Sequence, residues 1–293
     1  MARRAPRSIA GRVVAITGGA RGIGRATAQA LIDQGAKVAI GDIDAPLAQR
    51  TALELGPGTL GLELDVTDRA SFQAFLDEVE RRLGPLDVLV NNAGIMPVGP
   101  FVAETDATAR RIIDINVHGV ITGSKLALER FSPRNRGHLV NVASVAGRLG
   151  VPGGATYSAS KHAVVGLSEA IRGELRGTAI DISIVMPVVV NTELGSGLQP
   201  TRGVRKVEPE EVAGAIVQAL QSGRVDVFVP RSVAGLVRSA GIVPRAVADL
   251  VNRAVKGDRV LLEPDPVQRA AYVQRTEDDA AAESEPAQEP QAV

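Results

Sequence analysis

The sequence predicts an α/β fold, a doubly wound parallel sheet (Rossmann fold) in a single domain with a helical C-terminal extension. Short runs of Val, Ile and Leu alternate with helix-length segments between residues 13 and 229, as expected of a parallel sheet covered on both faces. The first run, Val13–Ile16, passes directly into Gly18, Gly22 and Gly24 and then into a helical segment. The 293 residues suffice for one large core plus a tail.

The glycine turn lets backbone approach an anion closely, while the unpaired N–H groups of the next helix face it, which suits a dinucleotide pyrophosphate. That helix, about Gly22–Gln34, stops at Gly35, and Lys37–Gly41 is the second strand. Asp42 closes the strand 18 residues beyond Gly24. A carboxylate there accepts from both hydroxyls of an adenosine ribose and repels a 2′-phosphate, favouring NAD. Arg21 points the other way, because it can pair with a 2′-phosphate, so NADP stays open.

A helix over Ala45–Leu55 ends at Gly56–Gly58, and a third strand, Thr59–Leu64, leads to Asp65-Val66. Thr67 or Asp68 caps the helix that follows, up to about Leu83. The fourth strand, Asp87–Val90, runs into Asn91-Asn92-Ala93-Gly94. Small and amide residues there suggest backbone packed against a ligand, since an Asx turn needs one asparagine only. A long helix spans Asp106–Phe131 with Asn116 inside it, a poor helix-interior residue that needs a reason. The fifth strand, His138–Val142, ends at Ala143-Ser144. The glycine-rich loop Gly147–Gly154 precedes a helix over Ala155–Leu175. Ile180–Val185 is the sixth strand, ended by Pro187, and Val225–Val229 is the last. Between them Glu208, Glu210 and Glu211 open a helix that runs to Leu220.

Composition excludes several classes of function. The absence of cysteine removes disulfides, thiolate catalysis and cysteine metal sites, and the three dispersed histidines do not suggest a shared metal. The 33 basic and 33 acidic groups create no global field for nucleic acid. The basic start, MARRAPRS, lacks a signal-peptide core, and no apolar run is long enough to span a bilayer, so a cytoplasmic protein is expected. Residues 1–8 read as a flexible N-terminus, 9–230 as the main domain, 231–275 as a basic amphipathic extension packed on or near it, and 276–293 as a disordered acidic tail. Between Pro230 and Arg259 six basic residues face two acidic ones. That segment covers a cleft or subunit contact, or makes peripheral contact with an anionic membrane.

Tyr157 and Lys161 fall four apart on one helix face. A phenol titrates near ~10 in water, and a neighbouring ammonium favours its anion. Such a group removes an alcohol proton as hydride leaves, or protonates the alkoxide in reverse. Ser144, at a strand end, can orient the substrate oxygen and stabilise developing charge. A serine hydrolase is disfavoured, since Ser144 is not in a GxSxG turn.

These segments together resemble the short-chain dehydrogenase/reductase family over about residues 11–230. Thr17-Gly18-Gly19-Ala20-Arg21-Gly22-Ile23-Gly24 looks like its TGxxxGxG turn, and Asn91-Asn92-Ala93-Gly94 is its NNAG segment. Ser144 lies 13 residues before Tyr157, the family separation, and Tyr157–Lys161 fits YxxxK. The resemblance implies Tyr157 as general acid/base, Lys161 binding the nicotinamide ribose and lowering the tyrosine pKa, Ser144 positioning the carbonyl, and Asn116 completing a proton path. It further implies cofactor contacts from Gly18, Arg21, Gly22, Ile23, Gly24, Asp42, Asp65, Val66, Asn92, Ala93, Gly94, Pro187 and Thr192. One departure is Val188 after Pro187, where the family has glycine, so the loop beside the nicotinamide is expected to take its own path. Val188–Lys206 reads as a mobile cover. Val145, Ala146, Leu149, Val151, Val189, Val190 and Leu194 suggest an apolar pocket for a small hydrophobic alcohol or ketone. The family habit implies a homodimer or homotetramer.

Overall fold

A computed structural model of the chain describes residues 6–198, 205–239 and 260–284. Its strands are β1 (Val13–Thr17), β2 (Lys37–Asp42), β3 (Leu60–Glu63), β4 (Val88–Asn91), β5 (Gly137–Val142), β6 (Ile180–Pro187) and β7 (Asp226–Val229). They form one parallel sheet of seven strands in the order β3-β2-β1-β4-β5-β6-β7. The helices are α1 (Gly22–Ile32), α2 (Ala45–Leu55), α3 (Arg69–Leu83), α4 (Asp106–Ile113), α5 (Gly119–Phe131), α6 (Ala155–Glu174), α7 (Pro209–Ser222), α8 (Val233–Ser239) and α9 (Pro266–Ser284).

Alternate residues of β1 serve opposite layers. Val14 and Ile16 pack with Leu31, Ile216 and Leu220 of α1 and α7, while Val13 and Ala15 pack with Phe72, Leu76 and Phe131 of α3 and α5. Burial on both faces is why the strands read as continuous apolar runs rather than alternating ones. Strand order reverses between β1 and β4, and this reversal opens a crevice beyond their carboxyl ends, where open α/β sheets take ligands.

Local chemistry settles several boundaries. Asp68 caps α3 by accepting from the N–H groups of Ala70 and Ser71, whereas the Thr67 hydroxyl turns back to Asp65 at 2.7 Å. Glu208 and Glu211 form a reciprocal capping box on α7, which is more specific than a helix-dipole effect. β6 runs past Val185 to Pro187, and pairing with β7 continues beyond it through the Val188 N–H, which donates to Val229 at 2.9 Å.

The chain ends are partly anchored. Arg7 pairs with Asp181 of β6, and its N–H donates to Gln221 at 2.9 Å. Residues 1–5 lie outside the described residues, as do Arg245, Arg253, Lys256 and Arg259 of the basic segment. The acidic stretch expected from residue 276 is helical as far as Ser284, and 285–293 lie outside the described residues. Among the described residues, no helix is long and apolar enough to cross a membrane.

His138, on the interior strand β5, shows how tightly the sheet is closed. Ser183 donates its hydroxyl proton to the Arg224 carbonyl at 2.6 Å, so it must accept from His138 Nε2 at 2.8 Å. His138 Nδ1 is then unprotonated, buried and without a hydrogen-bond partner. Burial pushes the imidazole pKa down to about 4, with Arg7 and Arg12 acting in the same sense and Asp181 opposing. The unfolded chain binds this proton more readily, so the stability contribution is complete above the ordinary value of 6.5 and is lost as pH falls through about 4. The wild-type melting temperature should therefore fall more steeply than that of His138→Gln across that window. Parallel curves in differential scanning calorimetry would contradict the assignment.

Candidate active site

The crevice contains a cavity of about 420 Å³ that runs from the glycine turn to Ser144, Tyr157 and Lys161. At the turn end, Gly18 has φ +61°, and a Cβ there would sit 2.9 Å from Ala93 Cα. A Cβ on Gly24 would lie 2.2 Å from the Gly18 carbonyl, so this glycine serves close packing of turn on helix and is not on the cavity wall. Gly18, Arg21, Gly22 and Ile23 do line the cavity.

Thr17 and Asn92 lock the turn to β4. The Thr17 hydroxyl accepts from the N–H groups of Asn92 and Ala93 at 3.0 and 2.9 Å. The Asn92 amide donates to the carbonyls of Thr17 and Gly18, both at 2.9 Å. Asn92, Ala93 and Gly94 line the cavity, but the Asn92 amide nitrogen is already engaged by the turn. Asn91 points elsewhere, donating to Asn141 of β5 at 2.9 Å and so fastening the sheet.

Asp42, Asp65 and Val66 line the same groove. The Asp42 carboxylate accepts from the N–H of Ala20 at 3.1 Å and from that of Asp44 at 3.3 Å. Burial nevertheless raises its pKa, against those two bonds and Arg21. Asp65 accepts from the N–H of Thr67 at 2.8 Å as well as from its hydroxyl. Arg21 is engaged: its guanidinium pairs with Asp44 at 2.8 Å and with Glu193 at 3.4 Å. The glycine cradle and the carboxylates along the groove fit a nicotinamide dinucleotide.

At the far end stand Ser144, Tyr157 and Lys161. Tyr157 is 7% exposed, and burial pushes its phenol up to about 12, opposed by the Ser144 hydroxyl. The expectation of a lowered phenol therefore does not hold for the chain without cofactor. Lys161 Nζ lies 5.7 Å from the Tyr157 ring centroid and donates to the Val142 carbonyl at 3.0 Å. Its own pKa is brought down to about 8 by burial.

Asn116 sits in a π-helical turn, Asp114–His118, between α4 and α5. That widened turn is the local answer to a mid-helix asparagine. Its side chain accepts from the Ile95 N–H at 2.9 Å and donates to the Ile95 carbonyl and Ser160 hydroxyl at 3.0 and 3.1 Å. It lies behind the cavity wall rather than on it. Pro187 and Thr192 are on the wall, and the loop after Pro187 bends so that Val190 pairs with Val207.

The seven apolar residues expected at the substrate end all line the cavity. Sequence reasoning missed Met96, Glu193, Val260, Leu261 and Arg275, which line it too. The available signal was Tyr272, one of only two tyrosines, with arginines three residues to either side on α9.

The family model for short chain dehydrogenase matches residues 12–203. A 2-(S)-hydroxypropyl-CoM dehydrogenase from Xanthobacter autotrophicus is 38% identical over 224 residues, 70% of this chain and 88% of that protein. A cis-4-hydroxycyclohexanecarboxylate dehydrogenase from Sinomonas cyclohexanicum is 37% identical, across 71% of this chain and 89% of its own length. A crystal structure of a short-chain dehydrogenase/reductase from Burkholderia phymatum in complex with NAD superposes with a TM-score of 0.74 at 29% identity, covering 80% of this chain and 95% of that one. On its sheet order, its glycine turn and these matches, the chain belongs to the short-chain dehydrogenase/reductase family of oxidoreductases.

Proposed function

We propose that the protein is an NAD-preferring dehydrogenase that interconverts a hydrophobic secondary alcohol and its ketone. The observation that carries this reading is one apolar cavity with the Tyr157, Ser144 and Lys161 side chains at one end and the glycine turn with Asp42 at the other. When bound, the nicotinamide dinucleotide supplies the hydride acceptor or donor.

Ser144 holds the substrate oxygen and Tyr157 manages its proton. In reduction, the neutral phenol gives its proton to the oxygen as the carbonyl carbon gains hydride, leaving alcohol and a phenolate. Lys161 then stabilises that phenolate, and with a pKa brought to about 8 it can pass a proton on near neutral pH. Asn116 keeps the Ile95 backbone and Ser160 in place behind this pair. In oxidation the same groups run backwards, and the phenolate must be generated against burial that holds it near 12. The chain alone is therefore set as an acid. Asp42, Asp44 and Glu193 support NAD over NADP, because Asp44 and Glu193 neutralise Arg21 and all three carboxylates would repel a 2′-phosphate. The same reading takes the protein as a cytoplasmic homo-oligomer.

Tyr157→Phe should lower kcat by about 10²–10⁴-fold while NADH still binds, and full turnover in that variant would overturn the mechanism. Fluorescence titration should give tighter binding of NADH than NADPH, and Asp42→Ala should narrow the gap; an NADPH preference in the wild type would remove the ribose role of Asp42. In the reductive direction kcat/KM should be level below about 8 and fall as pH rises through it, since the ammonium of Lys161 is lost there. A flat profile to pH ~10, the ordinary tyrosine value, would exclude Lys161 from proton delivery.

A further inference from the structure

The C-terminal segment does more than trail off the domain. Val260 and Leu261 are buried with Met96, Tyr157 and Leu198 in one apolar cluster. Leu261 reaches so far over the start of α6 that a Cβ on Gly154 would lie 2.6 Å from its Cδ1 and 3.8 Å from Tyr157 Cβ. Val260 and Leu261 thus pack beside the start of α6 that carries Tyr157, and both line the same cavity.

Arg269 of α9 ties this segment down. It is only 4% exposed, and its guanidinium donates to three backbone carbonyls: Leu194 at 3.2 Å, Ser196 at 3.0 Å and Met96 at 2.5 Å. Two of these belong to the loop after β6 and one to the loop after β4, the two loops that flank the Tyr157 end of the cavity. Tyr272 adds a second tie, since its hydroxyl accepts from the Met96 N–H at 2.7 Å while its ring lies 4.6 Å from the Arg269 guanidinium. The Asp265 N–H donates to the Gly197 carbonyl at 2.8 Å, and its side chain caps α9. Farther along, Arg275 pairs with Glu193 at 2.9 Å, and Glu193 in turn pairs with Arg21 of the glycine turn. A buried guanidinium is costly unless its donors are satisfied, so one that joins two separate loops fixes their spacing.

We propose that residues 260–276 form a built-in roof over the substrate chamber, with Arg269 as the positioning residue that sets the distance between its two wall loops and Leu261 as the residue that limits substrate size. The roof lies wholly beyond residues 12–203 that match the family model. The inference rests on the dehydrogenase reading and narrows it: the substrate is a compact apolar alcohol or ketone that fits beneath Leu261, and bulky polycyclic ones are excluded. Glu193 couples the roof to the cofactor end of the same cavity.

The test uses the full-length protein, with amide hydrogen exchange and reduction of a graded series of cyclic ketones, from cyclopentanone to decalone and a steroid ketone, in the presence of NADH. Arg269→Ala should accelerate exchange at residues 95–98 and 189–198 by about tenfold and raise KM for compact ketones by about tenfold, with the loss falling on KM more than on kcat. Leu261→Ala should gain kcat/KM on the bulky ketones, a change that misfolding cannot imitate. Unchanged exchange at both loops in Arg269→Ala, or an unchanged size profile in Leu261→Ala, would overturn the roof. If the wild type turned over no ketone or alcohol with either cofactor, the dehydrogenase reading would fall, while the exchange measurement would still decide whether Arg269 holds the loops.

Discussion

The whole site depends on how closely β1 and its turn approach β4. The Thr17 hydroxyl and Asn92 amide bind the two strand ends to each other, and Gly18 leaves no room for a side chain against Ala93. The first N–H groups of α1, like those of any helix, have no intrahelical acceptor and can face a phosphate. The same clamp holds Gly94 in register with Asn116 and Lys161: a Cβ on Gly94 would be 3.0 Å from Asn116 Oδ1 and 3.6 Å from Lys161 Nζ. The glycine-turn end and the Tyr157 end of the cavity are thereby fixed by one set of short contacts.

Burial acts on Tyr157 and Lys161 in opposite directions. It holds the Tyr157 phenol neutral and brings the Lys161 ammonium toward neutrality, because both charged forms lose hydration. The Ser144 hydroxyl opposes the shift of the phenol only in part. Val260 and Leu261 add to this burial, since they share one apolar cluster with Tyr157.

Charge pairing separates the two faces of Arg21. As a lone residue in a glycine turn it reads as a phosphate partner. In the folded chain Asp44 and Glu193 claim it, one from the start of α2 and one from the loop after β6. Neither carboxylate is near it in sequence, so only folding could reveal that the positive charge is already balanced.

Local sequence alone determined the strand and helix order, because apolar runs, glycine stops and acidic caps act over a few residues. It also placed the tyrosine, lysine and serine of the candidate site, since a four-residue helical spacing and a strand end are local geometry. It marked Asn116 as anomalous but could not say that the helix widens into a π turn around it. The tertiary structure decided what lies across gaps of more than seventy residues: Tyr272 on Met96, Arg269 on Leu194 and Met96, Glu193 on Arg21. It also decided the burial that raises the Tyr157 phenol pKa. Contact partners and desolvation depend on which distant segments pack together, and no periodicity in the chain encodes that directly.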